Sequence, residues 1–387
     1  MKLITTFQKA VLITLALCVL KAAPASALTL VSERTWGGVG SEVASRVAVT
    51  PDGSVYLAGT THSFGVNSPN IFLVKYDAAG TLVWQRTWPG PDTLGDEAGD
   101  VAVAPDGMAV YVTGATGGDA VLLKFDSNGT LAWDRTWWGG TGSERGEGVA
   151  VAADGSVYVA GGTERSFRPA SNDPGDLFVV KFDSAGTVVW QKIWGTELDG
   201  EDGQGVAVAP DGHIYVAGVG PRPGAVSGGA DTVLLKLDPS GNLLWQRAYS
   251  AGDIVDARGG VTVGPDNSIY VAGAITEPRT FDLDALLVKF TPAGDLAWDR
   301  SWGGGSSGED ASDVVVSADG TTVFLVGSTN SFGAGSDDAF IVALEANTGR
   351  ARDAMTWGNA GLDKGDGVAL APDGSLFLAA TAETAPP

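Results

Sequence analysis

The chain contains very little cysteine and histidine, the side chains that most transition-metal sites and redox centres use. Of its 387 residues only one is cysteine, Cys18, and only two are histidine. Cys18 lies in the apolar N-terminal run, so the rest of the chain has no thiol for a disulfide or a thiolate metal site.

Positive charge is also scarce. The chain has 24 Lys and Arg against 46 Asp and Glu, which gives a formal net charge of −22. Three of the lysines fall within residues 1–27, which hold no acid, so the remaining chain is more acidic still. Such a surface repels nucleic acid and anionic membranes and attracts cations.

Long hydrophobic runs are absent except at the N-terminus, and that run is short. Lys2 and Lys9 precede the apolar stretch Ala10–Leu20, which falls short of the ~20 residues of a membrane-spanning helix. The small residues Ala25-Ser26-Ala27 then form a typical signal-peptidase site. We therefore expect residues 1–27 to be a signal peptide cleaved after Ala27, and the mature protein to be secreted, periplasmic or on the cell surface. No membrane span should remain after cleavage.

One sequence motif recurs seven times. It consists of a strand, a tight turn and a second strand. The first copy is VAVTPDGSVYL, and Asp-Gly after Pro is typical of a tight reversal. Successive turns are 48 to 57 residues apart, which indicates a repeat protein. The copies are Val47–Leu57, Val101–Val112, Val149–Val159, Val206–Val216, Val261–Val271, Val314–Leu325 and Val368–Leu378.

A second hairpin follows the first in six copies, as in IFLVKY-DAAG-TLVWQRTW at 71–88. Four strands per repeat, rich in Val, Leu, Tyr and Trp and without helical periodicity, predict an all-β seven-bladed propeller of four-stranded antiparallel blades. A parallel β-helix is the alternative, but its coils are shorter and are not joined by D-x-x-G hairpins.

The composite pattern W-G-G…G-S-E…V-A-V-x-P-D-G-S-V-Y-V-A-G-x-T…D-x-F-x-V-K-F-D-x-x-G resembles the seven-bladed β-propeller repeat (SBBP) family of exported bacterial proteins. Ser328–Glu345 is similar to that family's consensus almost throughout, and the resemblance covers nearly all of 29–380. It implies the propeller architecture and carries over no catalytic residue.

The two ends of the chain are expected to share one blade. Leu28–Trp36 matches the fourth strand of a repeat, whereas the C-terminus supplies only the first two strands of the seventh copy. Closure by the N-terminal strand would remove exposed sheet edges. Residues 381–387 end in Pro-Pro and are expected to form a disordered tail, so the propeller should span 28–380. Either blade seven lacks its third strand or the sequence is a truncated version of a longer gene product.

An acidic residue precedes the first strand by five positions in every repeat. One interpretation is a carboxylate ring that binds calcium near the central channel. The other is structural: each carboxylate accepts loop N–H groups or pairs with a base of the fourth strand. The seven residues are Glu42, Asp96, Glu144, Glu201, Asp256, Glu309 and Asp363.

Among the variable loops between strands two and three, only those of blades three, four and five contain arginine. These loops are neighbours on one face of a propeller, and guanidinium groups bind carboxylate or phosphate in a bidentate manner. Together they predict an anion site, for example for an acidic polysaccharide; the alternative is that each arginine pairs with a local acid. The residues are Arg165, Arg168, Arg222 and Arg279.

The sequence therefore favours a monomeric, non-enzymatic binding or scaffold module. Its partner would be an extracellular or cell-wall glycan or a protein, bound on the variable-loop face. The alternative function is a carbohydrate-active hydrolase or lyase that uses the same face. An enzyme should break the repeat symmetry with a compact set of unlike polar residues, whereas a scaffold should not.

Overall fold

A computed structural model of the chain describes residues 12–21, 28–66, 69–91, 94–137, 142–163, 175–195, 200–221, 231–250, 255–276, 282–304 and 308–384. The described residues form 28 strands in seven four-stranded antiparallel sheets. No helix among them has the length and apolar character needed to cross a bilayer.

The strands follow the repeat closely. The first two in the chain belong to the last blade: β1 (Leu12–Lys21) and β2 (Thr29–Trp36). Blades one to three are formed by β3 (Glu42–Val49), β4 (Val55–Thr61), β5 (Asn70–Tyr76), β6 (Leu82–Trp88), β7 (Asp96–Val103), β8 (Ala109–Thr116), β9 (Asp119–Asp126), β10 (Leu131–Trp137), β11 (Glu144–Val151), β12 (Val157–Thr163), β13 (Leu177–Phe182) and β14 (Val188–Trp194).

Blades four to seven continue in the same order. Their strands are β15 (Asp202–Val208), β16 (Ile214–Gly220), β17 (Asp231–Leu237), β18 (Leu243–Tyr249), β19 (Val255–Val263), β20 (Ile269–Thr276), β21 (Leu283–Phe290), β22 (Leu296–Trp302), β23 (Glu309–Val316), β24 (Thr322–Thr329), β25 (Asp338–Glu345), β26 (Ala351–Trp357), β27 (Asp363–Leu370) and β28 (Ser375–Thr384).

The first strand of each blade lies at the centre of the ring. Each first strand contacts the first strand of both neighbouring blades, and β27 of the last blade contacts β3 of the first, which closes the ring. The predicted all-β, seven-bladed propeller is confirmed, and the predicted sharing of the last blade by both chain ends is confirmed with it.

The tight turn between the first two strands forms because a glycine takes its left-handed position and an aspartate accepts a backbone N–H of the turn. In blade one Gly53 has φ of 83°, a conformation that favours glycine, and its N–H donates to the carbonyl of Thr50. The carboxylate of Asp52 accepts the N–H of Ser54 at 2.9 Å. These local bonds fix the register of the hairpin and so the position of the inner strand.

The hydrophobic core lies between blades. Strands two and three are buried on both faces, whereas the fourth strand is largely exposed. Aromatic rings join neighbouring blades: Trp36 of blade seven packs on Phe72 of blade one with centroids 4.5 Å apart, and Trp137 packs on Phe178 at 4.3 Å. Each blade therefore buries its faces only against its neighbours, and a closed ring leaves no face uncovered.

Blade seven differs from the sequence expectation. Its sheet has the order β2-β1-β28-β27, so the apolar segment expected to be a signal peptide forms the third strand that was expected to be missing. The segment fits because the third strand is apolar on both faces, and Ala16, Leu17, Cys18 and Leu20 are fully buried there. The expectation of an incomplete blade is corrected for the full-length chain. Cleavage after Ala27 stays a prediction.

The C-terminal boundary also differs. β28 continues to Thr384, into the segment 381–387 that was expected to be a disordered tail. Ala382 is buried and pairs with Asp363, and the hydroxyl of Thr381 accepts the N–H of Ala44 at 3.0 Å. These small residues extend the strand because they fill space beside the inner strands. Residues 385–387 lie outside the described residues.

Candidate functional site

A β-bulge interrupts the first strand in each blade. In blades one to four, six and seven, the pairing between the first two strands shifts by one residue at the third position after the repeated acid. A bulge leaves one residue out of the ladder and re-aims its side chain. The bulged residues are Ser45, Gly99, Glu147, Gln204, Ser312 and Asp366.

All six bulged residues line one cavity of about 380 Å³ at the centre of the ring. His62, at the start of a variable loop, lines it as well, so the cavity opens toward the variable-loop face. The acid three residues before each bulged residue and the valine two residues after it repeat from blade to blade, whereas the bulged residues differ: Ser, Gly, Glu, Gln, Ser and Asp in chain order. The channel mouth therefore breaks the repeat symmetry with unlike polar residues, which excludes a purely repetitive scaffold and suits either a ligand-binding site or an enzyme.

Arg46 links three blades across this channel. Its Nη1 donates to the carbonyl of Asp366 at 2.6 Å, and its Nη2 donates to the carbonyl of Ser312 at 2.9 Å. Its Nε lies 3.9 Å from a carboxylate oxygen of Asp313. The guanidinium of blade one thus holds blades six and seven and supplies positive charge to a group of acids.

Two of those acids occupy equivalent positions in blades two and six. Asp100 accepts the N–H of Val149 at 2.8 Å, and Asp313 accepts the N–H of Val368 at 2.9 Å. Each carboxylate therefore binds the inner strand of the following blade. Burial raises the pKa of Asp100 to about 6, although Arg46 and the N–H bonds oppose the increase. These two acids join blades and do not point freely into the cavity.

Asp366 has a different environment. It lines the cavity, and its carboxylate accepts the Thr381 hydroxyl at 2.6 Å. Burial raises its pKa to about 7, against the effects of that hydrogen bond and of Arg46. Its proton is therefore exchanged near neutral pH, which is the property of a general acid or base.

Arg145 forms the second charged group at the mouth. Its guanidinium pairs with Glu97 and with Glu147, the latter with Nε 2.5 Å from Oε1. The arginine side chain is 38% exposed, so it can reach a ligand without leaving its partners. Glu97, Arg145 and Glu147 also line a second cavity of about 560 Å³ over blades two to four. Together the two cavities form a groove that runs outward from the channel.

In four of the blades, the carboxylate of the predicted acid ring accepts a hydrogen bond from a backbone N–H of the loop that enters the blade. Glu42 accepts the N–H of Gly38 at 3.2 Å and the Thr61 hydroxyl at 3.1 Å, and Glu309 is bound in the same way by Gly304 and Thr329. In blades two and seven the corresponding donors are Gly90 N–H to Asp96 and Asn359 N–H to Asp363.

This arrangement matches the structural interpretation, in which a buried carboxylate orders the loop that enters each blade. Glu144 and Glu201 are buried as well, and the side chain of Asp256 lies outside the described residues. Within the described part of the chain, no group of three or more acidic, His or Cys side chains is arranged to hold a metal ion. Calcium binding by this series stays a prediction.

Four of the strand-four arginines, Arg34, Arg86, Arg135 and Arg247, donate from Nε to the carbonyl of a turn glycine. Arg34 donates from Nε to the carbonyl of Gly80, and Arg86 donates likewise to the carbonyl of Gly129. Both carbonyls belong to the tight turns of the following blade. The bases therefore stabilise contacts between blades at the opposite face.

The predicted arginine cluster falls in loops outside the described residues. These loops comprise 164–174, 222–230 and 277–281. The cluster consists of Arg165, Arg168, Arg222 and Arg279, and its proximity in space stays a prediction.

Comparisons with known proteins support the architecture. No protein-family model matches the chain, and no curated protein is similar enough to match it. Among solved structures, the RRP9 WD40 repeats share a TM-score of 0.55 at 11% identity, over 86% of this chain and 85% of that one. A protein from Lactobacillus plantarum gives 0.53 at 16% identity, over 89% and 96%.

A putative 6-phosphogluconolactonase from Bacteroides uniformis gives a TM-score of 0.51 at 13% identity, over 89% of this chain and 96% of that one. At such identities a likeness shows the fold alone. The seven-bladed β-propeller fold is thus supported, and membership of the SBBP repeat family stays a prediction.

Proposed function

We propose that this protein is an exported binding module that holds a polyhydroxylated ligand, an oligosaccharide, in the channel mouth and the adjoining groove. The observation that carries the proposal is the set of β-bulges. They place six inner-strand residues in the lining of one cavity, at a repeat position that lies between a constant acid and a constant valine. Bulges of this kind occur next to binding and active sites.

The chemistry of the lining indicates the class of ligand. Arg46 and Arg145 supply donors, Glu97 and Glu147 supply acceptors, and Gln204 supplies both. A hydroxyl group both donates and accepts, so a sugar can bond to every one of these side chains. The second cavity adds Glu144, Glu201 and Asp202, which makes the groove acidic. It therefore suits a neutral or amino-bearing saccharide better than an acidic one.

An anionic glycan is the ligand expected from the four loop arginines. That hypothesis concerns a different sector of the same face, and the two sites can be separated by mutation. Export rests on the basic residues, apolar run and A-x-A site of residues 1–27.

A glycan array on the exported protein tests the proposal. Arg145→Gln should weaken binding of the best neutral or amino-bearing glycan by about tenfold, the equivalent of ~1.4 kcal/mol. Arg352→Gln is the matched control, because Arg352 forms an exposed pair with Glu345, 3.2 Å apart, at the turn face. Its binding should stay within about twofold of wild type.

Unchanged binding by Arg145→Gln, with full folding, would place the ligand elsewhere. A preference for acidic glycans that is lost when Arg165, Arg168, Arg222 and Arg279 are replaced by Ala would favour the loop site instead.

A second candidate function is a carbohydrate-active hydrolase or lyase. Asp366 favours it, because this residue lines the cavity and has a pKa of about 7. If the protein is an enzyme, Asp366→Asn should abolish turnover of a bound glycan while leaving its binding largely intact. Equal activity of Asp366→Asn and wild type would remove Asp366 from the reaction.

A further inference from the structure

The outer part of the interface between blades three and four contains a cavity of about 460 Å³. Strands β13 and β14 of blade three form one wall, and β17 of blade four with the turn that follows it forms the other. The corresponding space between blades two and three measures only about 10 Å³. The two spaces are lined by the same repeat positions, so the side chains at those positions account for the difference.

Two substitutions open the cavity. Leu237 occupies the position at which blade three has Phe182, and Lys192 occupies the position of Arg135. Arg135 closes the earlier interface, because its Nε donates to the carbonyl of Gly186 at 3.0 Å. Lys192 makes no hydrogen bond or ion pair among the described residues. Its ammonium group therefore does not clamp the two blades together and is available to a ligand.

An indole ring with a free face forms part of the lining. Trp194 donates from Nε1 to the side chain of Gln246 at 2.9 Å, which fixes the ring. The equivalent Trp137 stacks on Phe178 with centroids 4.3 Å apart. Trp194 shares its core cluster with Val233 instead, and within the described part of the chain it stacks on no aromatic ring.

The lining is apolar inside and polar at the rim. Leu177 and Val179 are almost fully buried, whereas Lys192 and Asn242 are exposed. The amide of Asn242 is engaged within its own turn, because it donates to the carboxylate of Asp238 at 2.8 Å. Lys192 is therefore the group of the lining that can pair with a charge on a ligand.

We propose that this interblade cavity binds a small aromatic carboxylate. The ring of the ligand takes the space that the Phe182 ring fills one blade earlier and lies against Trp194, and the carboxylate pairs with Lys192. An apolar pocket of a few hundred Å³ with one oriented charge is typical of a small-molecule site, and hydrogen bonds between an ammonium and a carboxylate are charge-assisted. The cavity shares no lining residue with the channel mouth, so either site can fail without the other.

Isothermal titration calorimetry on the full chain tests the proposal with three probes: hydrocinnamate, its neutral amide and hexanoate. Hydrocinnamate should bind with a Kd below about 1 mM. Hexanoate should bind at least about tenfold more weakly, because an alkyl chain cannot stack on the indole of Trp194. No binding of hydrocinnamate, or equal binding of hexanoate, would overturn the proposal.

Two variants locate the site. Lys192→Gln should weaken hydrocinnamate binding at least about tenfold, because it removes the charged partner, and should leave binding of the amide within about twofold. Leu237→Phe restores the ring of the other blades and should weaken both aromatic probes at least about tenfold without lowering the melting temperature.

Lys124→Gln is the matched control for the loss of one positive charge. Lys124 lies in blade two, where it donates to the carbonyl of Ser184 at 2.8 Å, and its replacement should leave all binding within about twofold of wild type. Unchanged hydrocinnamate binding by Lys192→Gln would contradict the proposal, as would unchanged binding by a Leu237→Phe variant that melts as wild type does. If Leu237→Phe melts below wild type, Lys192→Gln alone decides.

Discussion

Asp366 makes the stability of this protein depend on pH near neutrality. Its folded-state pKa of about 7 lies above the ordinary value of 3.8, so the folded chain holds the proton more tightly than the unfolded chain does. The free energy of unfolding must then fall as the pH rises from about 4 to 7, because the unfolded state releases its proton first. The Asp366→Asn variant has no such proton, and its stability should fall less over this range.

The size of the effect follows from the two pKa values. At about 1.4 kcal/mol for each pH unit between them, the ceiling is about 4 kcal/mol. Asp366 is half-buried and faces the channel, so water screens its charge and about 2 kcal/mol is the expected gain of Asp366→Asn at pH 8. In a protein of this size that gain corresponds to a rise in melting temperature of about 3 °C. At pH 5 the two proteins should melt at nearly the same temperature.

The assay is thermal melting of wild type and Asp366→Asn at pH 5, 6, 7 and 8 at constant ionic strength. Asp373→Asn is the matched control in the same blade. The Asp373 carboxylate accepts the Ser375 N–H at 2.9 Å, and this bond lowers its pKa. The control should lose stability by a similar amount at every pH of the series. An Asp366→Asn variant that melts below wild type at pH 8, or that keeps the wild-type pH dependence, would refute the reasoning.

Three further predictions concern charge, burial and metal. Replacing Arg46 by Gln should lower stability by about 3 kcal/mol at pH 8, because it removes the countercharge of Asp100, Asp313 and Asp366; thermal melting should show a smaller loss at pH 5, where Asp100 and Asp366 are protonated, and an equal loss at both pH values would contradict the argument. In the uncleaved chain Cys18 should not react with a thiol reagent until the protein unfolds, since burial raises the pKa of its thiol; rapid reaction under native conditions would show that residues 12–21 are outside the fold. If the acid ring binds calcium, millimolar calcium should raise the melting temperature relative to chelator at fixed ionic strength; no difference would leave the carboxylates as loop anchors.

The repeated parts of the fold could be predicted from the sequence because local signals determine them. Apolar strand residues joined by tight Asp-Gly turns, or by Asp266-Asn267 in blade five, specify each first hairpin, and seven copies specify the ring. The match of residues 28–36 to a fourth strand was sufficient to predict how the ring closes. In each case the deciding residues lie within one hairpin of one another.

The channel site could not be found in this way. A β-bulge depends on how two strands pair, and no single residue of the first strand marks it. The available signal was indirect: Ser45, Glu147, Gln204 and Asp366 vary at one repeat position between a constant acid and a constant valine. The search for repeated residues found the acids that order the loops, whereas the cavity is lined by the residues that do not repeat.

The role of the N-terminal segment could not be predicted from the sequence either. An apolar run such as residues 12–21 suits a signal peptide and a buried strand equally, because both need only apolar side chains. Its pairing with β28 joins residues more than 350 positions apart, and this contact has no local signature.

Hydrogen–deuterium exchange on the exported protein, with and without its best glycan, tests the binding proposal most directly. The account predicts that the glycan slows amide exchange at the starts of the inner strands, in residues 44–47, 98–101 and 145–149. Exchange in the tight turns at the opposite face should not change. Protection confined to 164–174, 222–230 and 277–281, or absent from the inner strands, would contradict a ligand in the channel mouth.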